Sequence, residues 1–326
     1  MAGEADRETV FGPVPSRRLG ASLGLDVVRF KTCSYDCIYC QLGRTTDHCT
    51  TAAAAVAPQA VIAEVRRRLA AGARPDYLTF SGSGEPTLYP RLGQLIAGLK
   101  PLGIPVAVLT NGSLLWRRRI AAACARADLV SPTLVAGSAA TWRRVNRPHR
   151  SVGFRRMVEG LVGFRRRFRG QLWLEVMLVA GVNDSAAEVG KIAALARRIR
   201  PDRVQLNTVV RPPAERFARP VPRGRLERLA ALFDPPAEVI ADAPRRGQAP
   251  QVARQSARSG PCPPTRDAVL AMIRRHPATA GELAAGLRIS RAAAERSLAE
   301  LAAAGLAVAR ARRGRRYWSA PERRSK

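Results

Sequence analysis

The chain has 326 residues, 46% of them hydrophobic, and a formal net charge of +30. That length supports a large domain with a sizeable core and a second, smaller one. No apolar run approaches the ~20 residues needed to span a bilayer, so a membrane-spanning helix is excluded. The positive charge is nearly all arginine, and a balance this basic predicts contact with a polyanion, nucleic acid first.

The opening stretch MAGEADRETVFGPVPSRR lacks the basic start and apolar run of a signal peptide. A cytoplasmic location is therefore expected. In that reducing compartment the 6 cysteines are expected to be free, metal-bound or catalytic rather than disulfide-paired.

In chain order, strand-like runs fall at LGLDVV (23–28), YLTFS (77–81), VAVLT (106–110), DLVSPTL (128–134), LWLEVMLV (172–179) and RVQLNTV (203–209). Helical patterns follow turn signals between them, as in AVIAEVRRRLAAG (60–72), RLGQLIAGLK (91–100) and EVGKIAALARRI (188–199). Strands separated by helices imply parallel βαβ units in an α/β barrel or a doubly wound sheet. Residues 241–264, rich in Pro, Gly, Ser and Arg, read as a linker. Beyond it, 265–326 predicts three helices and a basic β-hairpin. Thr279 and Glu282 suit a capping box, Ser290 an N-cap, Gly305 a helix end and Gly314 the hairpin turn. Three helices and a hairpin look like a winged helix, a variant of the helix-turn-helix.

Three cysteines, Cys33, Cys37 and Cys40, crowd the stretch KTCSYDCIYCQLG. Such a trio can hold three irons of a [4Fe–4S] cluster, leaving the fourth open to a small molecule. It can also form a zinc site completed by Cys49 or His48, or simply pack as small apolar groups. CSYDCIYC resembles the CxxxCxxC signature of the radical SAM superfamily. The resemblance implies a [4Fe–4S] cluster on Cys33, Cys37 and Cys40, S-adenosylmethionine on the open iron, and Tyr39 near the adenine. TFSGSGEPTL, after the second strand-like run, resembles the superfamily's GGEP motif, so Gly82, Ser83, Gly84, Glu85 and Pro86 are expected to hold SAM. Asn111, in TNG at the end of the third run, is a further candidate contact or an ordinary turn residue.

Both motifs follow the carboxyl ends of strands, where α/β barrels build their sites. The resemblance implies a partial (β/α)6 radical SAM barrel over residues 1–240. FGPVPSRRLGASLGLD, VNRPH, LEVMLVAGVNDS and the QLN…RPPAE run extend the likeness, over roughly residues 10–240, to bacterial radical SAM proteins related to the wyosine-forming tRNA enzymes. Those enzymes bind a second cluster through upstream cysteines, and no cysteine here precedes Cys33. Cys49, Cys124 and Cys262 read as ordinary thiols. Related chains tend to carry an acidic residue where Val135 stands.

Alternation along the strands turns Leu172, Leu174, Val176 and Leu178 outward and Trp173, Glu175 and Met177 into the lumen. Gln205 and Asn207 likewise face inward. Glu175, Asn207 and Arg211 are the candidates for substrate or SAM contact. Glu175 alternatively pairs with a lumen arginine, and Asn183 and Asn207 alternatively cap loops. His149, in NRPH, is read as a surface histidine, the alternative being that it reaches the site.

The expected activity is reductive cleavage of SAM at the cluster to a 5′-deoxyadenosyl radical. It would be fed by an external donor such as flavodoxin or ferredoxin and directed at an unknown substrate, RNA or tRNA among the options. The competing reading is an iron–sulfur-dependent regulator whose winged helix binds DNA through Arg291, Arg296 and the hairpin arginines 310–316.

Overall fold

The chain begins with two antiparallel strands, β1 (Val10–Ser16) and β2 (Gly20–Leu25), joined by a tight turn. Two short strands follow, β3 (Thr32–Cys33) and β4 (Asp47–His48). Strands and helices then alternate: α1 (Pro58–Ala70), β5 (Tyr77–Phe80), α2 (Leu92–Leu99), β6 (Val106–Thr110), α3 (Arg118–Cys124), β7 (Leu129–Pro132), α4 (Ala139–Asn146), α5 (Phe154–Arg167), β8 (Gln171–Leu178), α6 (Ala186–Ile199), β9 (Arg203–Thr208), α7 (Arg223–Ala230) and β10 (Glu238–Val239). A further group comprises α8 (Arg266–Arg275), α9 (Ala280–Leu287), α10 (Arg291–Ala303), β11 (Val308–Arg312) and β12 (Arg315–Ser319). The computed structural model describes residues 9–16, 18–54, 56–240, 266–275, 277–287, 289–312 and 314–321. The expected linker and Cys262 lie outside them. Among the described residues no helix is long and apolar enough to cross a membrane.

Eight strands form one sheet in the order β1-β2-β5-β6-β7-β8-β9-β10, open at its two edges. From β2 to β10 every pairing is parallel, so the carboxyl ends of β2 and β5–β9, the six strands expected from sequence, all open on one side. Parallel strands covered on both faces read as apolar runs, and the four residues of β7 are all buried. Local chemistry sets the helix starts. Pro58 opens α1 with its φ already helical. Ser185 caps α6 by accepting from the Glu188 amide.

The predicted alternation of β8 is observed. Leu172, Leu174, Val176 and Leu178 are fully buried on the face toward the helices. On the other face, Leu19, Ala107, Leu129 and Trp173 form a small apolar cluster at the amino-terminal ends of β2, β6, β7 and β8, closing the lumen from below. Above it the lumen is polar: the Ser22 hydroxyl donates to Thr79 at 2.6 Å, and Gln205 and Asn207 are buried.

The last five elements have their own apolar core, built on Val269, Ile273, Leu283, Leu298 and Leu301, with Val14 of β1 packed against it. Thr279 and Glu282 exchange reciprocal capping bonds, and Ser290 caps α10. Gly305 and Gly314 adopt positive φ where α10 ends and the hairpin turns, conformations that favour glycine.

Candidate functional site

The loop after β2 carries the three cysteines, and two different segments hold it. On one side Cys33 pairs with His48 between β3 and β4, and the Cys49 amide donates to the Cys33 carbonyl at 3.0 Å. On the other side the carboxyl-terminal end of α4 and the residues just after it run along it. Ile38 N donates to Val145 O at 3.0 Å, Asp36 N to Asn146 O at 2.9 Å, and His149 N to Ser34 O at 2.9 Å. Tyr35 is buried beneath, its hydroxyl accepting from the Trp142 indole at 3.2 Å. The three cysteines remain partly exposed.

Two amides point at the sulfurs. Asn146 Nδ2 lies 3.1 Å from Cys37 Sγ and 3.4 Å from the Tyr39 hydroxyl. Asn111 Nδ2 lies 3.5 Å from Cys33 Sγ and 2.9 Å from Ser34 Oγ. Burial pushes all three thiols above their ordinary range, Cys37 to about 12 with Cys40 adding to the effect. Burial raises Cys33, with further contributions from Glu85 and Cys37, and it also raises Cys40. The thiols therefore sit within electrostatic reach of one another in a site that disfavours three uncompensated negative charges.

The GSGEP loop is bonded directly to this cysteine loop. Glu85 N donates to Thr32 O at 3.0 Å and Lys31 N to Ser83 O at 2.6 Å. Asp26 anchors Ser83 through both its amide (3.1 Å) and its hydroxyl (2.5 Å). Two glycines are sterically required. A Cβ on Gly84 would lie 2.2 Å from Thr32 O, and one on Gly82, at φ +139°, would lie 2.6 Å from Asp26 Cγ. Glu85 is buried, and its carboxylate accepts from Thr87 N and Oγ1, from Thr110 Oγ1 and from Asn111 N, at 2.5–3.0 Å. Burial nonetheless raises its pKa against those four bonds. Glu85 thus ties its loop to the end of β6 and sets the position of Asn111.

In the lumen Glu175 meets Arg18 Nη1 at 3.5 Å, the Thr133 hydroxyl at 3.0 Å and Asn207 Nδ2 at 2.8 Å. Arg18 also donates to Ser131 at 3.2 Å. The lumen arginine is therefore present. Asn183 is an internal cap: its Oδ1 accepts from Val179 N, and its Nδ2 donates to the carbonyls of Val135 and Met177. Val135 is buried beside it. Arg211 reaches Gln41 Oε1 at 3.0 Å, one residue past Cys40, and Glu282 of α9 at 3.5 Å. His149 packs edge-on against His48 with ring centres 5.4 Å apart. Burial lowers its pKa, helped by His48, Arg150 and Arg117. Cys124 is fully buried. Cys49 stands beside the cysteine loop, yet among the described residues no three His, Cys, Asp or Glu side chains converge as ligands of a single ion.

The structure thus brings Cys33, Cys37, Cys40, Tyr39, the 82–86 loop and Asn111 to one end of the sheet, with Glu175 and Asn207 in the lumen. Sequence reasoning overlooks Asp26, Arg18 and Asn146. All three lie in stretches that mark the likeness to related chains, Arg18 and Asp26 in FGPVPSRRLGASLGLD and Asn146 in VNRPH, but neither stretch signals what those side chains touch.

A family model described as the Radical SAM superfamily matches residues 27–193. A UPF0026 protein of Methanocaldococcus jannaschii is 35% identical over 226 residues, 69% of this chain and 70% of that protein. A protein of Brachyspira hyodysenteriae named GTPase Obg is 42% identical over 236 residues. The match covers 72% of this chain but 35% of that relative, so the chain spans about a third of the relative's length. Among solved structures, TYW1 with a lysine-pyruvate adduct bound aligns with a TM-score of 0.50 at 17% identity, covering 70% of this chain and 76% of the other. A radical SAM methyltransferase from Sphaerobacter thermophilus aligns with a TM-score of 0.52 at 20% identity, covering 67% and 66%. At these identities the two structures speak to the fold.

Proposed function

The chain belongs to the radical SAM superfamily, whose members use a [4Fe–4S] cluster and S-adenosylmethionine, and we propose that it is a SAM-cleaving enzyme whose cluster is held by Cys33, Cys37 and Cys40. The observation that carries this reading is the direct backbone bonding between the cysteine loop and the GSGEP loop. It makes one cradle of two motifs that are separate in sequence. The donor set fits the group: three thiols share one partly exposed loop, and amide donors on two of the sulfurs suit thiolate ligands.

Bound cluster and SAM would supply reductive cleavage to methionine and a 5′-deoxyadenosyl radical, chemistry that no side chain provides. The protein's own residues orient and shield. Gly82 and Gly84 let the GSGEP loop pack on Asp26 and Thr32 where any side chain would collide. Glu85 holds Asn111 against Ser34 and Cys33. Tyr39 flanks the sulfurs beside Asn146. The Leu19–Trp173 layer closes the lumen below, which limits water entry from that side. Glu175 and Asn207 face substrate or SAM from the lumen as one bonded pair. An external donor of the flavodoxin or ferredoxin class supplies the electron.

The domain reading is a barrel over 1–240, a linker over 241–264 and a winged helix over 265–326 that presents nucleic acid, RNA or tRNA included, to the barrel. Exposed Arg291 and Arg296 on α10 and Arg310, Arg315 and Arg316 on the hairpin support it, as phosphate contacts. So does the approach of this unit to the barrel, where the Tyr317 hydroxyl donates to Val210 O at 3.0 Å and Glu282 meets Arg211.

The test is anaerobic reconstitution with iron and sulfide, reduction with dithionite and addition of SAM. Formation of 5′-deoxyadenosine is expected, and its loss in Cys37→Ala. A brown protein that forms none would favour the DNA-binding regulator, and a colourless zinc protein would defeat both readings.

A further inference from the structure

Beside the cysteine loop, on its α4–α5 side, lies an open groove of about 870 Å³. Its lining includes Trp142, Arg143, Arg150, Phe154, Arg155 and Arg156. The four arginines are exposed. Arg143, Arg150 and Arg155 have no carboxylate partner among the described residues. The one acidic lining residue, Glu159, already pairs with Arg198 at 2.7 Å. Arg156 is steadied by stacking on Trp116, 4.8 Å from the ring centre. Arg155 and Arg156 also sit in the first turn of α5, which has no acidic residue there and no side-chain cap at Gly153. Positive side chains at the positive end of a helix dipole repel it. The groove therefore concentrates uncompensated positive charge, and an anionic occupant would relieve it.

The groove adjoins the proposed site. Trp142 forms its wall and donates to Tyr35 of the cysteine loop, and Arg150 directly follows His149, whose amide bonds Ser34.

We propose that this groove binds the phosphodiester backbone of a single-stranded nucleic acid and lays it past the mouth of the barrel; its role in delivering substrate rests on the radical SAM reading above. The chemistry is guanidinium forks on phosphate oxygens. Trp142 is buried and the half-buried Phe154 ring packs against it with centres 5.7 Å apart, so the exposed guanidinium groups dominate the groove and the backbone is what they read. A concavity of this size admits one strand, whereas a duplex presents a convex surface with phosphates on both strands. The chain's +30 charge favours a polyanion over a partner with a few carboxylates.

The test uses the full-length chain and fluorescence anisotropy with labelled oligouridylate and oligothymidylate of about 12 nucleotides, a single-strand site length, across a salt series. The triple variant Arg143→Ala/Arg150→Ala/Arg155→Ala is compared with Arg66→Ala/Arg126→Ala/Arg197→Ala, which removes the same charge from exposed positions elsewhere. Both oligomers should bind the wild type. The groove variant should flatten the slope of log affinity against log salt by about 2, at roughly 0.7 per phosphate contact on single strands, while the control variant keeps the wild-type slope. Four results overturn the proposal. They are equal losses in both variants, an unchanged slope in the groove variant, duplex binding that the groove variant weakens as much as single-strand binding, and displacement of the oligomer by polyglutamate or phosphatidylserine vesicles at equal charge concentration. Binding is read without SAM, so its outcome stands apart from whether 5′-deoxyadenosine forms.

Discussion

Asn146 Nδ2 stands 3.1 Å from Cys37 Sγ across 109 residues of sequence. An N–H donor stabilises the more negative, reduced state of a thiolate-ligated cluster. Asn146→Ala should make the midpoint potential of the reconstituted cluster more negative in an EPR-monitored redox titration. It should also weaken cluster retention roughly 10–100-fold, the usual cost of losing an outer-shell partner. An unchanged potential would show that the contact is only packing.

The close approach of the two motif loops makes Gly84 intolerant of a side chain. A methyl there meets the backbone oxygen of Thr32 at 2.2 Å, and backbone cannot rotate away. Gly84→Ala should cost about 1–3 kcal/mol in urea unfolding and abolish SAM binding measured by equilibrium dialysis. Gly190→Ala, where an added Cβ meets nothing within 4 Å, is the matched control and should leave stability the same or slightly higher.

Glu175 and Arg18 form a nearly buried pair, their side chains 12% and 14% exposed. Breaking one partner strands the other's charge. Glu175→Gln should therefore destabilise the fold by about 3 kcal/mol, while Arg18→Met combined with Glu175→Leu should recover much of the loss. Full stability in Glu175→Gln with loss of substrate turnover would move Glu175 from structural partner to substrate contact.

Cys37 is held near 12 by burial and by Cys40. In the cluster-free protein its alkylation by iodoacetamide, which follows the thiolate fraction, should rise about tenfold per pH unit from about pH 8 to about pH 11. A plateau near pH 9 would contradict the burial. The sign for stability follows by linkage. The unfolded chain ionises this thiol first, so its contribution is complete below the ordinary thiol range and lost as pH climbs toward 12. Apoprotein melting temperature should fall across that interval.

The strands of the sheet are legible because buried parallel strands are short runs rich in apolar residues near turn residues: VAVLT lies between Pro105 and Asn111, and YLTFS and LWLEVMLV differ only by polar residues such as Thr79 and Glu175. β1 is not legible. Gly12, Pro13 and Pro15 interrupt its run, and its register shifts between Phe11 and Val14. The two site motifs are visible because their chemistry is concentrated within a few consecutive residues. The residues that hold them are not, because Asn146, Asp26 and Arg18 act only once the sheet has brought distant segments together. Alternation is enough to turn Glu175 inward, but a lumen arginine arriving from the turn before β2 has no periodic signature. Arg211 is legible only as a residue beyond a strand end; that its guanidinium reaches both Gln41 and Glu282 has no signature in the sequence.

The cysteine loop is braced on its far side by residues 145–149, and this imposes an order on biosynthesis. The three thiols leave the ribosome more than a hundred residues before the segment that immobilises them. Until α4 has emerged and docked, they belong to a loose loop with neither the Val145–His149 backbone nor the Asn146 amide against it. On the cluster reading proposed above, a site shaped from both sides exists only once the chain has been built through His149.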